Sequence, residues 1–304
     1  MLGIDFDCYK VYKYIQGKKN IGERYMNIIY GAFADEYGVS LEEQIEGLLL
    51  NDITNLEIRF VDGVNIAQLG LDDMVKINNT LKEKGINVFA IGSPIGKICI
   101  TDDFNEHVEM LEKLCISANL FGAKFIRMFS FYNKQGLPLK EFRRISFERV
   151  EALLEIADKY NVILCHENEE GVYGESPERC LELFETFCGR LRGAFDMGNF
   201  ILKGYDPIKA YHLLYDYIEY FHIKDGTPDG LITVPGYGQA KIKEIVKDFA
   251  SKKEVTHVTL EPHLMNFVGL NNLTGTELKR EFAFNTNKEA FNFAVDSLKK
   301  ILSE

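Results

Sequence analysis

The sequence predicts an α/β fold built as a single (β/α)8 barrel, in which eight parallel strands alternate with helices. Eight short apolar runs recur along the chain, each followed by a segment with the spacing of an amphipathic helix. Eight such units in about 280 residues match the usual length of this barrel. An open, doubly wound sheet is the alternative, but it requires a glycine-rich G-x-G-x-x-G turn after an early strand. None follows the first three apolar runs, so we expect the barrel.

The predicted strands are short apolar runs, as expected for parallel strands that are buried on both faces. They lie at residues 26–34, 55–61, 86–93, 124–132, 162–167, 191–197, 218–225 and 257–262. Several of these runs end abruptly in polar residues, and the fifth run, "VILCHE", is followed by "NEEG". The polar ends are therefore the first place to look for a site.

The segments between the strands carry start and stop signals of helices. Ser40 with Glu43 three residues later is a capping-box pattern, and Ser176 before Pro177 is a good N-cap followed by proline at the first helical position. Gly85 is typical of a helix C-terminus. The predicted helical segments are 40–50, 71–85, 104–124, 146–160, 176–188, 206–217, 241–252 and 287–304.

Two segments fall outside the regular alternation. Residues 1–24 are expected to form an N-terminal extension, either a cap or an arm for a homo-oligomer, before a barrel that spans 25–304. Residues 264–285 form a long insert between the eighth strand and the last helix. Inserts at that end of a barrel usually cover the active site, so we expect this one near the active-site rim.

Composition narrows the partners and the compartment. The chain has 304 residues, with 35 Lys and Arg against 46 Asp and Glu, a net charge of −11. This balance argues against binding to nucleic acid or to an anionic membrane, since both favour a basic face. Six cysteines occur without a C-x-x-C motif, and no signal-peptide pattern is present. We therefore expect a cytoplasmic protein with reduced thiols.

Four consecutive predicted strands each end with a metal-ligand type of residue. These are Glu167, Asp196, His222 and Glu261, and in a barrel of this kind chemistry takes place at the C-terminal ends of the strands. Carboxylates with one imidazole suit a single hard or borderline divalent ion: Mn²⁺, Mg²⁺, Co²⁺ or Zn²⁺. Taken alone, each residue is more often a solvated strand end. One shared site explains all four together.

The alternation of side chains along a strand supports this interpretation. It places Glu167 on the same face as Ile163 and Cys165, and His222 on the same face as Tyr220. A carboxylate or imidazole that points into the barrel is costly unless it is paired or binds a metal.

Basic residues near the same rim are candidates for binding substrate oxygens. Arg59 and Arg127 lie in the second and fourth strands, and Lys224 follows His222 by two residues. The alternative for the arginines is pairing with barrel carboxylates. Lys224 either lowers the cost of charge at the site or pairs with Asp225.

Further polar residues lie in the loops after the strands. The turn "GSPIGK" ends at Lys97 and lacks the spacing of a P-loop, so it does not indicate nucleotide binding, although Lys97 is a candidate for substrate contact. His263, on the same face as the carboxylate of the eighth strand, is another candidate. Glu169 and Glu170 are interpreted as loop charges.

These residues carry a resemblance to a known family. The motifs "HENEEGVYG", "FDMGN", "HIKDG", "PGYGQ" and "LEPHL" resemble, in this order, those of the xylose isomerase-like TIM barrels, and the likeness covers roughly residues 25–304. That superfamily contains sugar phosphate isomerases and epimerases as well as AP endonuclease family 2. The resemblance implies that Glu167, Asp196, His222 and Glu261 are the metal ligands.

The branches of this family imply different roles. In ketose 3-epimerases the two glutamates, here Glu167 and Glu261, also act as the acid–base pair. A substrate-binding histidine there follows the strand-six aspartate by three residues, whereas Asn199 occupies this position here. The AP endonuclease branch uses several histidines from early strands, but the first histidine of this chain is His107. DNA repair is therefore not expected.

The functional hypothesis is a metal-dependent sugar isomerase or epimerase that acts on a keto sugar or related polyol through an enediolate. Glu167 and Glu261 would move the protons. A metal-dependent dehydratase of inosose or dehydroshikimate type is the alternative, since it shares the first step. A non-catalytic carbohydrate-binding barrel has no need for two opposed glutamates. The partner is expected to be a small carbohydrate or cyclitol, and no obvious phosphate cradle appears.

Overall fold

The predicted barrel is present. The computed structural model describes residues 27–268 and 278–304, so the predicted extension at 1–24 lies outside the described residues. Eight strands form one closed parallel barrel in chain order. They are β1 (Ile28–Ala32), β2 (Asn55–Ile58), β3 (Asn87–Gly92), β4 (Phe125–Met128), β5 (Ile163–Glu167), β6 (Arg192–Asp196), β7 (Ile218–Ile223) and β8 (Thr256–Leu260).

The barrel closes between its first and last strands. β1 pairs in parallel with β8 along its whole length, from Ile28 opposite Thr256 to Ala32 opposite Leu260, and also pairs with β2. Because all neighbours run in the same direction, every strand delivers its C-terminal end to the same rim. This topology brings the residues that follow β1 and β8 next to each other.

Helices surround the barrel and follow the capping signals of the sequence. They are α1 (Leu41–Leu50), α2 (Leu71–Glu83), α3 (Asn105–Phe121), α4 (Leu139–Lys159), α5 (Pro177–Thr186), α6 (Met197–Leu202), α7 (Pro207–Leu214), α8 (Ile242–Lys252) and α9 (Asn287–Ser303). The capping box predicted at α1 is confirmed: Ser40 Oγ accepts from Glu43 N at 3.2 Å, and Glu43 Oε2 accepts from Ser40 N at 3.3 Å.

One helix boundary differs from the prediction. α4 begins at Leu139, directly after Pro138, rather than at Ser146. Phe142, Ser146 and Val150 are all buried on one face of this helix at a spacing of four residues. The polar Ser146 interrupts the apolar stripe, so the periodicity in the sequence indicates a later start than the structure has.

The interior of the barrel is divided between an apolar layer and a polar layer. The apolar layer consists of small and aromatic side chains from the five consecutive strands β3 to β7: Ala90, Phe125, Cys165, Ala194 and Tyr220. Tyr220 links the two layers, because its hydroxyl donates a hydrogen bond of 3.1 Å to Oε1 of Glu57. Polar side chains occupy the barrel beyond this point, towards the C-terminal ends of the strands.

Three short strands lie at the C-terminal rim of the barrel. Asp225–Gly226 pairs with Leu231–Thr233, which in turn pairs with Lys279–Arg280. The strand Lys279–Arg280 belongs to the predicted insert, of which the structure describes residues 264–268 and 278–285. No helix in the described part of the chain combines the length and the hydropathy that a membrane-spanning segment needs.

Candidate metal centre

The four predicted ligands come together at the C-terminal rim of the barrel. Glu167, Asp196, His222 and Glu261 are all buried, and each offers one ligand atom within 4.8 Å of the others. Glu167 and Asp196 are the last residues of β5 and β6, His222 lies one residue before the end of β7, and Glu261 directly follows β8. The parallel register of the barrel therefore produces the convergence that the sequence predicts.

A side-chain amide holds the ends of β5 and β6 together. Asn168 donates to the backbone carbonyl of Asp196 at 2.8 Å and accepts from its backbone N–H at 3.0 Å. The carboxylate of Asp196 also caps α6, because its Oδ1 accepts from the backbone N–H of Asn199 at 2.8 Å. These contacts fix the direction in which Asp196 presents its second oxygen, Oδ2.

His222 stands between two glutamates. Its Nδ1 lies 3.3 Å from Oε1 of Glu167 and 3.3 Å from Oε2 of Glu261, while its Nε2 lies 3.0 Å from Oε2 of Glu57. Within the described part of the chain, neither His222 Nδ1 nor Glu261 Oε2 has a hydrogen-bond partner, although both atoms are buried. Buried polar atoms are rarely left unsatisfied. A divalent cation between them would satisfy both, so the residues fit the ion.

Three buried carboxylates near the centre are missing from the sequence-based prediction. Asp35 and Glu36 belong to a short 3₁₀ turn after β1, and Glu57 lies inside β2. The alternation of side chains along a strand could have identified Glu57, because it places Glu57 on the same face as Arg59, a residue that the sequence analysis names as a candidate. No comparable pattern marks the turn after β1.

Arg59 pairs with carboxylates, as the alternative reading of this residue expects. Its guanidinium lies 3.0 Å from Asp35, 3.4 Å from Glu36 and 2.7 Å from Glu261, and all three contacts are buried. Its guanidinium carbon also lies 4.1 Å from the ring centroid of Phe33. The arginine therefore fixes Glu261 Oε1 and leaves Oε2 facing His222.

Arg127 and Lys97 occupy another part of the rim. Arg127 donates to Glu167 Oε2 at 3.0 Å, and Lys97 donates to Glu169 at 3.0 Å. Both cations lie over the ring of Phe129, at 4.6 and 4.3 Å from its centroid. Glu169 lies in the loop after β5, where only 19% of its side chain is exposed and it pairs with Lys97.

Lys224 contacts the centre directly. Its Nζ donates to Asp196 Oδ2 at 2.9 Å and to Asn199 Oδ1 at 3.0 Å, and lies 3.6 Å from Glu261 Oε2. Its suggested pairing with Asp225 is wrong. The Asp225 carboxylate instead accepts backbone N–H groups of the loop that contains the "PGYGQ" motif.

The two remaining candidates also lie beside the ligands. Asn199 donates to Glu167 Oε1 at 3.3 Å. His263 has a left-handed backbone with φ of 51°, and its Nε2 lies 3.4 Å from Glu261 Oε1 and 3.5 Å from Glu36 Oε1. Glu36, Glu261 and His263 form a second group with ligand atoms within 4.8 Å. Arg59 already supplies the positive charge there.

The charges around the two glutamates favour their ionised forms. Burial raises the pKa of Glu167, but His222 and Arg127 outweigh burial and bring that pKa below its usual range. Burial likewise acts against ionisation of Glu261, yet Lys224 and other neighbouring groups hold its pKa well below the usual value. Both glutamates are therefore carboxylates at neutral pH and available as ligands or bases.

The other two ligands respond differently. Burial raises the pKa of Asp196 to about 6, even though Lys224 opposes this shift. Burial acts to lower the pKa of His222, but the surrounding carboxylates, first Glu57 and then Glu167, raise that pKa well above its ordinary value. Without a metal, the surrounding carboxylates therefore favour the imidazolium form of His222. The buried group of carboxylates and imidazole has the composition and geometry of a metal site.

Known proteins resemble this chain mainly in fold. A curated 3-dehydroshikimate dehydratase from Bacillus anthracis is 21% identical over 188 residues, which cover 62% of this chain and 67% of that protein. The crystal structure of a D-allulose 3-epimerase from Methylomonas sp. in complex with D-allulose is 15% identical with a TM-score of 0.70, and the match covers 91% of this chain and 98% of that one.

A further solved structure has a similar fold. The IOLI protein, whose crystal structure has a bound zinc atom, is 16% identical with a TM-score of 0.68, and the match covers 91% of this chain and 98% of that one. The sequence model of one family matches residues 53–286, which is most of the chain and includes all four predicted ligands. The chain belongs to the xylose isomerase-like TIM barrel family.

Proposed function

We propose that this protein is a divalent-metal-dependent sugar isomerase or epimerase that acts on a keto sugar or related polyol through an enediolate. The observation that carries the proposal is the position of Glu167 and Glu261, two buried carboxylates whose oxygens lie at equal distances of 3.3 Å from His222 Nδ1. They reach this point from β5 and from the end of β8, which are not neighbours in the barrel. A substrate bound there would have a carboxylate on either side.

Glu167, Asp196, His222 and Glu261 would hold the ion. When bound, a divalent ion polarises a substrate carbonyl and stabilises the negative charge of an enediolate. One glutamate removes the proton from the carbon next to the carbonyl, and the other returns it. Return to the opposite face of the same carbon gives the epimer, and return to the neighbouring carbon gives the isomer.

The groups around the glutamates support this role. Arg127 holds Oε2 of Glu167, and Arg59 holds Oε1 of Glu261, so one oxygen of each carboxylate remains directed towards the site. Lys224 presents N–H groups beside the ligands and is suited to bind a substrate hydroxyl. Asn199 accepts one of them and donates to Glu167 and to the backbone carbonyl of Asn168, so a substrate bound by Asn199 would replace one of these contacts. Preorganised donors of this kind need little rearrangement during the reaction.

A dehydratase is the second candidate. The curated relative is a 3-dehydroshikimate dehydratase, and dehydration shares the same proton abstraction before a β-hydroxyl leaves. Ketose 3-epimerases have a substrate-binding histidine at the position that Asn199 occupies here, and this difference is compatible with a dehydratase. The two reactions differ in whether the carbon skeleton loses water.

Incubation of the metal-loaded protein with a panel of keto sugars, cyclitols and dehydroshikimate in D₂O separates the candidates. We expect deuterium next to the carbonyl of a keto sugar, without loss of water, as measured by NMR and mass spectrometry. Loss of water from one of the substrates would contradict the isomerase or epimerase and would support the dehydratase. Absence of both exchange and dehydration across the panel would contradict an enzymatic role.

Matched variants assign the exchange to the site. Glu167→Gln and Glu261→Gln are expected to slow exchange by about 10²–10⁴-fold, the usual contribution of general acid–base catalysis. Glu219→Gln is the control, because Glu219 is near the N-terminal end of β7 and pairs with Arg192. It should leave the exchange rate unchanged.

A further inference from the structure

We infer that Glu57, on β2, is a positioning residue that fixes the orientation and the tautomer of His222 so that Nδ1 is the metal-binding nitrogen. The inference deepens the proposed function and rests on its metal site. Glu57 lies within β2 rather than at its end. It belongs neither to the group of Glu167, Asp196, His222 and Glu261 nor to the group of Glu36, Glu261 and His263. The evidence for its role is the set of contacts around the imidazole ring.

The two nitrogens of His222 face different surroundings. Nε2 lies 3.0 Å from Glu57 Oε2, whereas Nδ1 lies 3.3 Å from both Glu167 and Glu261. Both oxygens of Glu57 accept hydrogen bonds from hydroxyl groups, so Oε2 also faces Nε2 as an acceptor and the N–H of Nε2 points to Glu57. In the neutral ring that a metal requires, the lone pair is then on Nδ1, on the side where Glu167 and Glu261 lie.

Glu57 is itself held in place by donors from two other strands. Tyr220 on β7 donates to Oε1 at 3.1 Å, and Thr259 on β8 donates to Oε2 at 2.9 Å. Together with His222, three donors fix this carboxylate, which has no exposed surface. A glutamate that is fixed in this way leaves the imidazole one favourable orientation.

The ion-pair contacts of Glu57 also indicate that this residue acts on His222. Among the residues that the structure describes, no lysine or arginine forms an ion pair with Glu57, and its only ion-pair partner is His222. A fully buried carboxylate without a cation is costly unless its charge acts on another positive group. Through His222, a divalent ion bound at Nδ1 would be that group. Carboxylate partners of this kind raise the basicity of a ligating histidine.

A packing role alone makes a different prediction. If Glu57 only filled space and satisfied hydrogen bonds, its removal would reduce stability without selectively changing affinity for a metal. If it positions His222, its removal weakens metal binding by about 10–100-fold, as for other partners of ligating histidines. Metal affinity therefore separates the two roles.

The experiment is titration of the metal-free protein with Mn²⁺, with free Mn²⁺ measured by electron paramagnetic resonance. We expect about tenfold weaker binding in Glu57→Gln, which keeps an acceptor but loses the charge, and about 100-fold weaker binding in Glu57→Ala. Glu219→Gln is the matched control, because it makes the same change at a glutamate that pairs with Arg192 near the N-terminal end of β7. It should bind Mn²⁺ within about threefold of the wild type. Should Glu57→Ala not fold, Glu57→Gln, which preserves the side-chain shape, decides the question.

A second readout observes the tautomer. In ¹⁵N-histidine NMR of the zinc-loaded wild type, the ring of His222 should carry its proton on Nε2 and the metal on Nδ1, with assignment by comparison with His222→Gln. Metal on Nε2, or equal Mn²⁺ affinity in wild type, Glu57→Gln and Glu57→Ala, would overturn the role of Glu57 while leaving the metal site intact. A wild type that binds no divalent ion would overturn the proposed function as well.

Discussion

At the scale of single residues, the site depends on how His222 balances its charge. The ring is fully buried and borders Glu57, Glu167 and Glu261, so the metal-free protein keeps it protonated. A metal ion at Nδ1 must displace a proton, because only the neutral ring offers a lone pair. The proton and the metal therefore compete for the same buried position.

This competition predicts that metal affinity depends on pH. The folded-state pKa of His222 is raised well above its ordinary value, so below that raised pKa each bound ion releases about one proton from the ring. The apparent affinity should then rise by up to about tenfold per pH unit through the neutral range. Calorimetry with Mn²⁺ in buffers of different ionisation enthalpy measures the released proton. Affinity that is independent of pH, with no proton released, would mean that His222 does not bind the ion.

Glu36 predicts a different dependence on pH, that of folding stability. Burial raises its pKa to about 8, so the folded chain keeps a proton there that the unfolded chain releases above about pH 4.5. The folded state thus binds more protons, and the contribution of Glu36 to stability is present at low pH and lost as pH rises towards 8.

The variant Glu36→Gln has no such proton and supplies the comparison. In urea unfolding of the metal-free proteins, stability of the wild type relative to Glu36→Gln should fall by up to about 1.4 kcal/mol per pH unit between about pH 5 and pH 8. The effect of His222 is common to both proteins and cancels. Parallel stability curves would show that Glu36 is ionised throughout.

At the scale of elements, the loops after the strands determine where the cations lie. The loop after β3 contacts the segment after β4: Phe129 N–H donates to the carbonyl of Ile95, and Phe131 N–H donates to that of Gly96. Gly96 also donates its N–H to His107 Nε2 at 2.6 Å. This contact places Lys97 over the ring of Phe129.

A side chain at Gly96 should disrupt this contact. Its φ is +84°, and an added Cβ would lie 1.9 Å from the carbonyl oxygen of Phe129. We expect Gly96→Ala to lower the free energy of unfolding by about 3 kcal/mol or more, measured by urea denaturation. Gly122→Ala is the control, since φ is +76° there but an added Cβ would meet no atom of the described residues within 4 Å, apart from its neighbours along the chain. Its cost should be about 1–2 kcal/mol. Equal costs would mean that the loop moves freely to accommodate the methyl group.

The sequence predicts those parts of the site that are marked by strand ends. Glu167, Asp196 and His222 each lie at or near the end of an apolar run, and parallel topology then brings them together. Glu57 gives no such signal, because a carboxylate inside a run resembles an ordinary interruption. Asp35 and Glu36 lie in a turn, where acidic residues are common and usually exposed. In the folded chain they are buried and both pair with Arg59.

At the scale of the whole molecule, closure of the barrel creates contacts between residues that are far apart in sequence, and no local pattern predicts these contacts. Pairing of β1 with β8 places the turn after β1 against the segment after β8, and Glu36 Oε2 accepts the backbone N–H of His263 at 2.8 Å. Arg59 connects the same turn with Glu261. The choice of Glu261 as an ion-pair partner of Arg59 therefore depends on the closed fold rather than on neighbours in sequence.

We expect the four convergent ligands to bind one divalent ion, which elemental analysis of the purified protein can count. After exposure to Mn²⁺ and removal of excess ion, the wild type and Glu219→Gln should retain about one ion per chain. Glu167→Ala and Glu261→Gln should retain far less, because each lacks one carboxylate ligand. A wild type that retains no more metal than these two variants would contradict the account.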